Sequence, residues 1–425
     1  MTRAWRPLAA LLVSRCGALA GHRLLMLAVP WLVISTGTLT EAGTVALCHT
    51  LPYVIMQGLS GPLLDRIPPA RIAAGGDLIG AAAVATLAAA GTPPLWLLMT
   101  AMAVVGAADG PAAAAKNVLL PDVTVAARQP SDRGQALAVV AERAASTLGP
   151  AVAGLLISLY GTSRTLWLAS LLFSVASALA WRIRLADRRA AASEPDTSYL
   201  RQLWAGVRVV FRDRPLRAIT IMYIFTNCLD SGLIVILIPL WARENGHSAT
   251  LAGLMLSAAG GAAVCSAIAA AWLGTRLPRR AAYLAGVIIS GPTRIIVLAL
   301  DCPPTVIIAV YAIAGVGSGI FNPALRATIA QVAPAELRGR VFALVDALSW
   351  IGLPMAGLLT TTAVTSVELN GTLWAFGIAY LLAVLYPARR ITRHPARSVV
   401  AAIPAPRRHR EPGTTSRDIT PQWST

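Results

Sequence analysis

Apolar runs of about 20 residues recur along the whole chain, each closed by a short cluster of charged, proline or glycine residues. In order, they predict membrane-spanning helices over about 8–36, 42–64, 72–91, 95–115, 135–159 and 164–185. A second set falls at about 217–242, 249–273, 281–300, 304–325, 341–364 and 370–387. Between the sets, 186–198 is polar. The stretch 199–213, YLRQLWAGVRVVFRD, then puts Leu203, Val207 and Val210 on one face and Arg201, Arg208 and Arg212 elsewhere. That pattern predicts a helix lying on the membrane surface. From residue 388 the chain is Pro- and Arg-rich without apolar period, which predicts a disordered tail. The expected fold is an all-α polytopic membrane protein with twelve spans in two six-helix halves. Residues 1–185 and 215–387 form the halves, 186–214 is a cytoplasmic linker and 388–425 the tail. The apolar run after Met1–Arg6 is too long for a signal peptide, so the first helix is expected to stay.

Internal repeats support the count of twelve. Arg66-Ile67-Pro68 returns as Arg276-Leu277-Pro278, and Pro30-Trp31 is echoed by Pro239 and Trp241. The series Arg133-Gly134, Gly149-Pro150 and Gly154-Leu155-Leu156 recurs as Arg338-Gly339, Pro354 and Gly357-Leu358-Leu359. Offsets run from 203 to 210 residues. The chain therefore reads as two six-helix halves in the same order, joined by 186–214.

Composition narrows the function. Hydrophobic residues make up 56% and charged residues 13%, about half the charge of a soluble protein. The net charge is +17, with 35 of 36 basic residues arginine. On a soluble chain this would suggest nucleic acid. Here the arginines crowd the 2–3, 4–5, 6–7, 8–9 and 10–11 loops and the tail, and only Arg164 and Arg243 lie opposite. Both termini are therefore expected in the cytoplasm, and no nucleic-acid partner is expected. The basic tail is either solvated or laid against anionic headgroups. The Ala- and Arg-rich composition points to a GC-rich bacterium and its plasma membrane. Five cysteines, at 16, 48, 228, 265 and 302, have no disulfide or metal spacing and read as small core residues. The chain has no phosphate-binding Gly-Lys loop, HExxH, nucleophile elbow or paired metal ligands. Neither an enzyme, nor a resident cofactor, nor an ATP-driven pump acting alone is expected.

The polar turn GPLLDRIPPAR, residues 61–71, lies between two apolar runs, where two charges and two prolines cannot face lipid. Its Gly61, Asp65, Arg66 and Arg71 resemble the loop between helices 2 and 3 of major facilitator superfamily transporters, although Pro69 and Ala70 replace basic residues there. The resemblance implies that this carboxylate and these bases tie helices together across the cytoplasmic mouth. Leu119-Leu120-Pro121-Asp122, Gly149-Pro150 and the run AELRGRVF at 335–342 are similar to the branch of the enterobactin exporter and the macrolide efflux proteins. That resemblance covers roughly residues 7–387 and implies export of drugs, antibiotics or siderophores, generally in exchange for protons. The stretch 149–154, GPAVAG, partly matches the family's helix-5 antiporter motif. An antiporter role and a kink with small residues for close packing both remain open.

Ionisable residues inside spans are costly in lipid and are the functional candidates. Asp230, mid-helix 7 with Asn227 one turn before it, can bind and release a proton. Aligning Pro30 with Pro239 sets Asp230 opposite His22 and Arg23 of helix 1, making one of these its expected partner across the cavity. Relatives in the resembling branch commonly carry an acid where His22 stands. Arg15, about two turns nearer the cytoplasm, either attracts an anionic substrate or snorkels. Glu142 and Asp346 hold matching repeat positions and are expected to brace the cytoplasmic loops holding Asp65, Arg66 and Arg276. Asp109 and Asn322 are placed in the cytoplasmic third, and Arg294 in helix 9 has no evident partner. The expected function is secondary, proton-coupled export of a small amphipathic compound by a monomer, the helix-1 cations favouring an anionic or zwitterionic substrate. A non-transporting membrane sensor or binding protein, or an importer of a small metabolite, is the alternative.

Overall fold

The computed structural model describes residues 5–183, 210–273, 279–300, 302–332 and 338–391. The described residues fold into helices joined by short turns, without strands. α1 is Arg6–Thr36, and α2 is Leu39–Gly58, carried past a break at Leu59 by the short helix Ser60–Arg66. α3 is Pro69–Ala90 and α4 is Leu95–Ala126. The helical run Ser131–Trp181 breaks at Gly161 (φ 81°, ψ 169°), which separates α5 (131–160) from α6 (162–181). α7 runs Arg214–Gly232, passes through a π turn at Leu233–Leu237, and ends as Ile238–Glu244. α8 is Ala249–Leu273. α9 is assembled from Arg279–Ser290, Pro292–Ile296 and the 3₁₀ turn Val297–Ala299, and α10 is Pro304–Val332. α11 is Arg338–Ser349, a turn at 350–352, and the start of the run Leu353–Ile391. That run breaks at Val367 and Glu368, leaving 369–391 as α12.

Eight helical stretches among the described residues are long and apolar enough to cross a membrane. Two of them double back at the kinks just named. With α2 and the shorter α9 the spans number twelve, six on each side of the unassigned segment 184–209. An even number of spans leaves the first and last described residues, Trp5 and Ile391, on one side of the bundle, called the terminal face below.

Local chemistry explains the ends. Thr38 and Glu41 form a reciprocal cap on α2: Glu41 N–H donates to Thr38 Oγ1 (3.3 Å) and Thr38 N–H to the Glu41 carboxylate (2.8 Å). Asp213 caps α7 by accepting from Leu216 N–H at 2.9 Å. Pro239 cannot donate to the carbonyl of Val235, and the winding relaxes into the π turn one step earlier. The turn at 61–71 is tighter than the sequence suggests: Ser60–Arg66 is helical, α3 starts at Pro69, and only Ile67 and Pro68 remain between them. α4 continues past the expected end at 115 to Ala126, with Pro111 and Pro121 inside it. The surface helix at 199–213 falls outside the described residues up to residue 209, and the tail falls outside from residue 392.

Within the first half, α6 is fastened to α3 by three serines seven residues apart. Ser163, Ser170 and Ser177 donate to the carbonyls of Ala88, Ala81 and Ala74 at 2.8, 2.8 and 2.7 Å. Lipid offers no competing water, so small hydroxyls bonding across closely packed helices are the expected glue. The halves meet along α5 with α8 and along α2 with α11, in the part of the bundle away from the terminal face. There Ala151 N–H donates to Ser257 Oγ (2.8 Å) and Thr250 Oγ1 to Ser158 Oγ (2.9 Å). A Cβ on Gly357 would stand 2.9 Å from the carbonyl oxygen of Gly43. Glycine is what lets these backbones touch.

The two kinks sit about 207 residues apart, within the repeat offset. Glu368 (φ 61°, ψ 173°) therefore holds the conformation that its counterpart Gly161 adopts freely. That region is open in practice only to glycine. Glu368→Gly is expected to stabilise the protein by about 1 kcal/mol, net of glycine's larger unfolded entropy. A rise in the melting midpoint in detergent would register it. An unchanged or lower midpoint would show that the kink carries no strain to relieve.

Candidate functional site

Arg15, His22 and Arg23 of α1 reach into the bundle and tie it to α4 and α5. Arg15 donates to Asn117 Oδ1 on α4 (2.6 Å) and to Glu142 on α5 (3.1 Å). Glu142 thus grips α1 rather than bracing the loop at Asp65 and Arg66, and Arg15 is neither free for an anion nor snorkelling. One to two turns deeper, His22 Nδ1 lies 3.3 Å from Asp109 Oδ2 on α4. Both side chains are 21% exposed, while His22 Nδ1 itself is buried. Asp109 stands near the middle of α4, not in its cytoplasmic third. Arg23 reaches over Gly149 to donate to Ser146 Oγ on α5 at 3.1 Å. A Cβ on Gly149 would come within 2.7 Å of the Arg23 Cβ. The GP pair thereby acquires two physical roles: Gly149 leaves space for the arginine stem, and the kink at Pro150 lets Ala151 bond α8.

Aromatic rings continue from His22. The His22 and His49 centroids lie 5.5 Å apart, His49 stacks on Tyr53 at 6.2 Å, and Tyr53 meets Trp350 edge-on at 6.3 Å. This ladder runs from α1 through α2 to α11 and so crosses from one half to the other. Deeper than His49 lies an apolar cleft lined by Met26, Val29, Val45, Met102, Val235 and Gly357. Neither ring nitrogen of His49 has a hydrogen-bond partner among the described residues.

The second half holds its own charge cluster. Asp230 pairs with Arg294 of α9, whose guanidinium lies over the Tyr380 ring of α12 at 6.0 Å from its centroid. This overturns two expectations: neither His22 nor Arg23 partners Asp230, and Arg294 does have a partner. Helix rotation is the reason, because Asp230 faces the interior of its own half. Asn227 donates to the carbonyl of Ser349 (3.2 Å), a group freed by the break in α11 at 350–352. It serves the backbone.

One buried pair escaped the sequence reading. Lys116 of α4 donates to Asp77 of α3 at 2.8 Å, with side chains 4% and 2% exposed. The available signal was that Lys116 is the only lysine in the chain. Placing the end of helix 4 at 115 put it outside the membrane. The proposed gating set is less tightly built. Asp65, Arg66 and Arg71 are exposed on the terminal face and enter no ion pair among the described residues. A side chain on Gly61 would meet nothing within 4 Å. Arg276 and the side chains of Asp346 and Asn322 lie outside the described set. Among the described residues no group of three His, Cys, Asp or Glu side chains is arranged to hold a metal ion.

Comparison with known proteins agrees with this architecture. The chain is 26% identical over 402 residues to the multidrug efflux pump Tap of Mycobacterium tuberculosis (strain ATCC 25618 / H37Rv), covering 90% of this chain and 94% of that one. The multidrug efflux pump Tap of Mycolicibacterium fortuitum is 26% identical over 393 residues, covering 88% and 93%. Among solved structures, the nucleoside transporter NupG superposes with a TM-score of 0.74 at 12% identity, covering 92% of this chain and 100% of that one. A bacterial homologue of the iron transporter ferroportin, in an inward-facing state, gives 0.68 at 15% identity, covering 91% and 98%. At such identities the structures share the fold alone. The family model of the Major Facilitator Superfamily matches residues 11–229 and 220–414. With twelve helices in two repeated halves and that match across most of its length, the chain belongs to the Major Facilitator Superfamily.

Proposed function

We propose that the protein exports small amphipathic compounds across the bacterial plasma membrane in exchange for protons. Residues 1–185 and 215–387 move as the two bodies, the 186–214 segment linking them, with both termini in the cytoplasm and the monomer as working unit. Support for export comes from the efflux pumps that the chain resembles over nine-tenths of its length. The positive-inside count of arginines supports the orientation.

The observation that carries the proton reading is Asp109 facing His22 near the middle of α4, each side chain partly exposed, which joins α1 to α4. While the carboxylate is charged it attracts the imidazole and holds the two helices together. Taking up a proton removes that attraction, and α1 and α4 are released. Asp230 is less suited, because Arg294 compensates its charge directly within one half. The proton site is therefore Asp109 and not Asp230, where sequence alone puts it.

The test is flux in proteoliposomes with an imposed pH gradient, against a panel of antibiotics and siderophores. Asp109→Asn is expected to abolish the response to the gradient while the protein remains folded. Asp230→Asn is expected to lower the yield of folded protein without selectively uncoupling it. Gradient-driven flux that survives in Asp109→Asn would refute the assignment.

A further inference from the structure

Arg23 is singular among the cations of the bundle interior. Asp77 is taken by Lys116, Asp109 faces His22, Glu142 is bonded by Arg15 and Asp230 by Arg294. Among the described residues, Arg23 has no carboxylate of its own. The field of Glu142 and Asp109 reaches it, but its hydrogen bond goes to the neutral hydroxyl of Ser146, and its Nε has no partner. A guanidinium held near the bilayer centre without a counter-charge is unfavourable, and its planar fork suits an oxyanion. Its position is built, since Gly149 leaves room for the stem. The field of Arg23 also reaches Tyr53, and on Tyr53 stacks His49, 4% exposed, whose ring nitrogens have no hydrogen-bond partner among the described residues. His49 continues into the ring ladder through Tyr53 to Trp350, which is 42% exposed. The apolar cleft beyond His49 has only about 30 Å³ of space in this conformation. That is too little for a drug-sized body, which leaves the terminal-face side of His49, along Tyr53 and Trp350, as the place for one.

We propose that this is the binding site of a flat, amphipathic organic anion. Its carboxylate or equivalent oxyanion is held by Arg23, its polar edge hydrogen-bonds His49, and its apolar rings lie against Tyr53 and Trp350. The site uses both halves, because Trp350 belongs to the second. The proposal rests on the export reading only in taking this molecule as the cargo.

The test is equilibrium binding of tritiated 1-naphthylacetate, and of its neutral amide, to the full chain in phosphatidylcholine nanodiscs. Wild type is expected to bind the acid about tenfold or more tighter than the amide, the range of a charge-assisted bond. Arg23→Gln should bring the acid to the level of the amide, and Arg23→Lys, which keeps the charge, should retain part of the preference. Trp350→Ala should weaken acid and amide alike. Equal binding of the two probes by wild type, or an undiminished preference in Arg23→Gln, overturns the proposal. So does loss of the preference when phosphatidylglycerol is added to the disc, because Arg23 then holds a lipid phosphate. Should Arg23→Gln not fold, the wild-type preference and its graded loss in Arg23→Lys decide. No gradient is applied, so failure of proton exchange leaves this result standing, and binding without transport would count against export alone.

Discussion

Lys116→Met, made with Asp77 left in place, is expected to be among the most damaging single substitutions in the bundle. Lys116 and Asp77 are almost wholly enclosed between α3 and α4, and their ion pair is each group's compensation for leaving water. Removing one partner of a buried pair typically costs about 3–5 kcal/mol, since the other charge stays behind without solvent. A matched apolar pair avoids that penalty. Lys116→Met with Asp77→Leu should accordingly recover most of the loss, although two polar anchors have gone. The readouts are the melting midpoint in detergent and the fraction of protein that elutes monodisperse. A single variant as stable as wild type would mean that water or another group already screens the pair. A double variant as poor as the single would mean that the site depends on its shape and not on charge balance.

Gly253→Leu is expected to stop transport without unfolding the chain. A Cβ on Gly253 would stand 3.0 Å from the carbonyl carbon of Pro150 and 3.2 Å from the Cα of Ala151, and one on Gly154 would stand 3.0 Å from the carbonyl carbon of Ala249. These obstacles are backbone and cannot rotate aside. Leucine there would separate α5 from α8 and break the bond from Ala151 to Ser257. Overpacking of this kind costs roughly 1–3 kcal/mol, enough to shift a two-state equilibrium by about five- to 150-fold. The penalty falls only on the state closed at this end, so the variant should rest open there and fail to cycle. Efflux should fall accordingly. A cysteine introduced at Ser158, in a background without the native five, should react faster with an impermeant maleimide. Wild-type efflux with unchanged labelling would show that the contact is not the seal.

Much of this was legible in the sequence for a simple reason. Lipid demands long apolar helices, and a duplicated chain repeats its punctuation, so span count and half boundaries follow from hydropathy and from recurring Arg, Gly and Pro. Pairing was not legible. Asp230 was matched to helix 1 by its depth, which the proline alignment does preserve. Its direction depends on helix rotation, about 100° per residue, and the π turn beyond it shifts that phase again. His22 and Asp109 were both marked, yet the contact between them needs the packing of α1 on α4. Lys116 was hidden by one misplaced helix end. Gly149 was noticed as a motif, but its reason, an arginine stem lying across it, exists only in three dimensions.

The kinks at Gly161 and Val367–Glu368 bear on a different matter, the mechanics of the surrounding lipid. α5 and α11 make the contacts between the halves, and each is tied to its successor, α6 or α12, through one or two residues with no slack. Those successors carry large apolar side chains to the outside: Trp167, Leu171 and Trp181 on α6, and Trp374, Ile378 and Leu382 on α12. A helix that closes the passage therefore drags a lipid-facing one with it. Bilayer thickness and lateral pressure act on that outer surface, and through a coupling of one or two residues they bear on the opening and closing of the transporter.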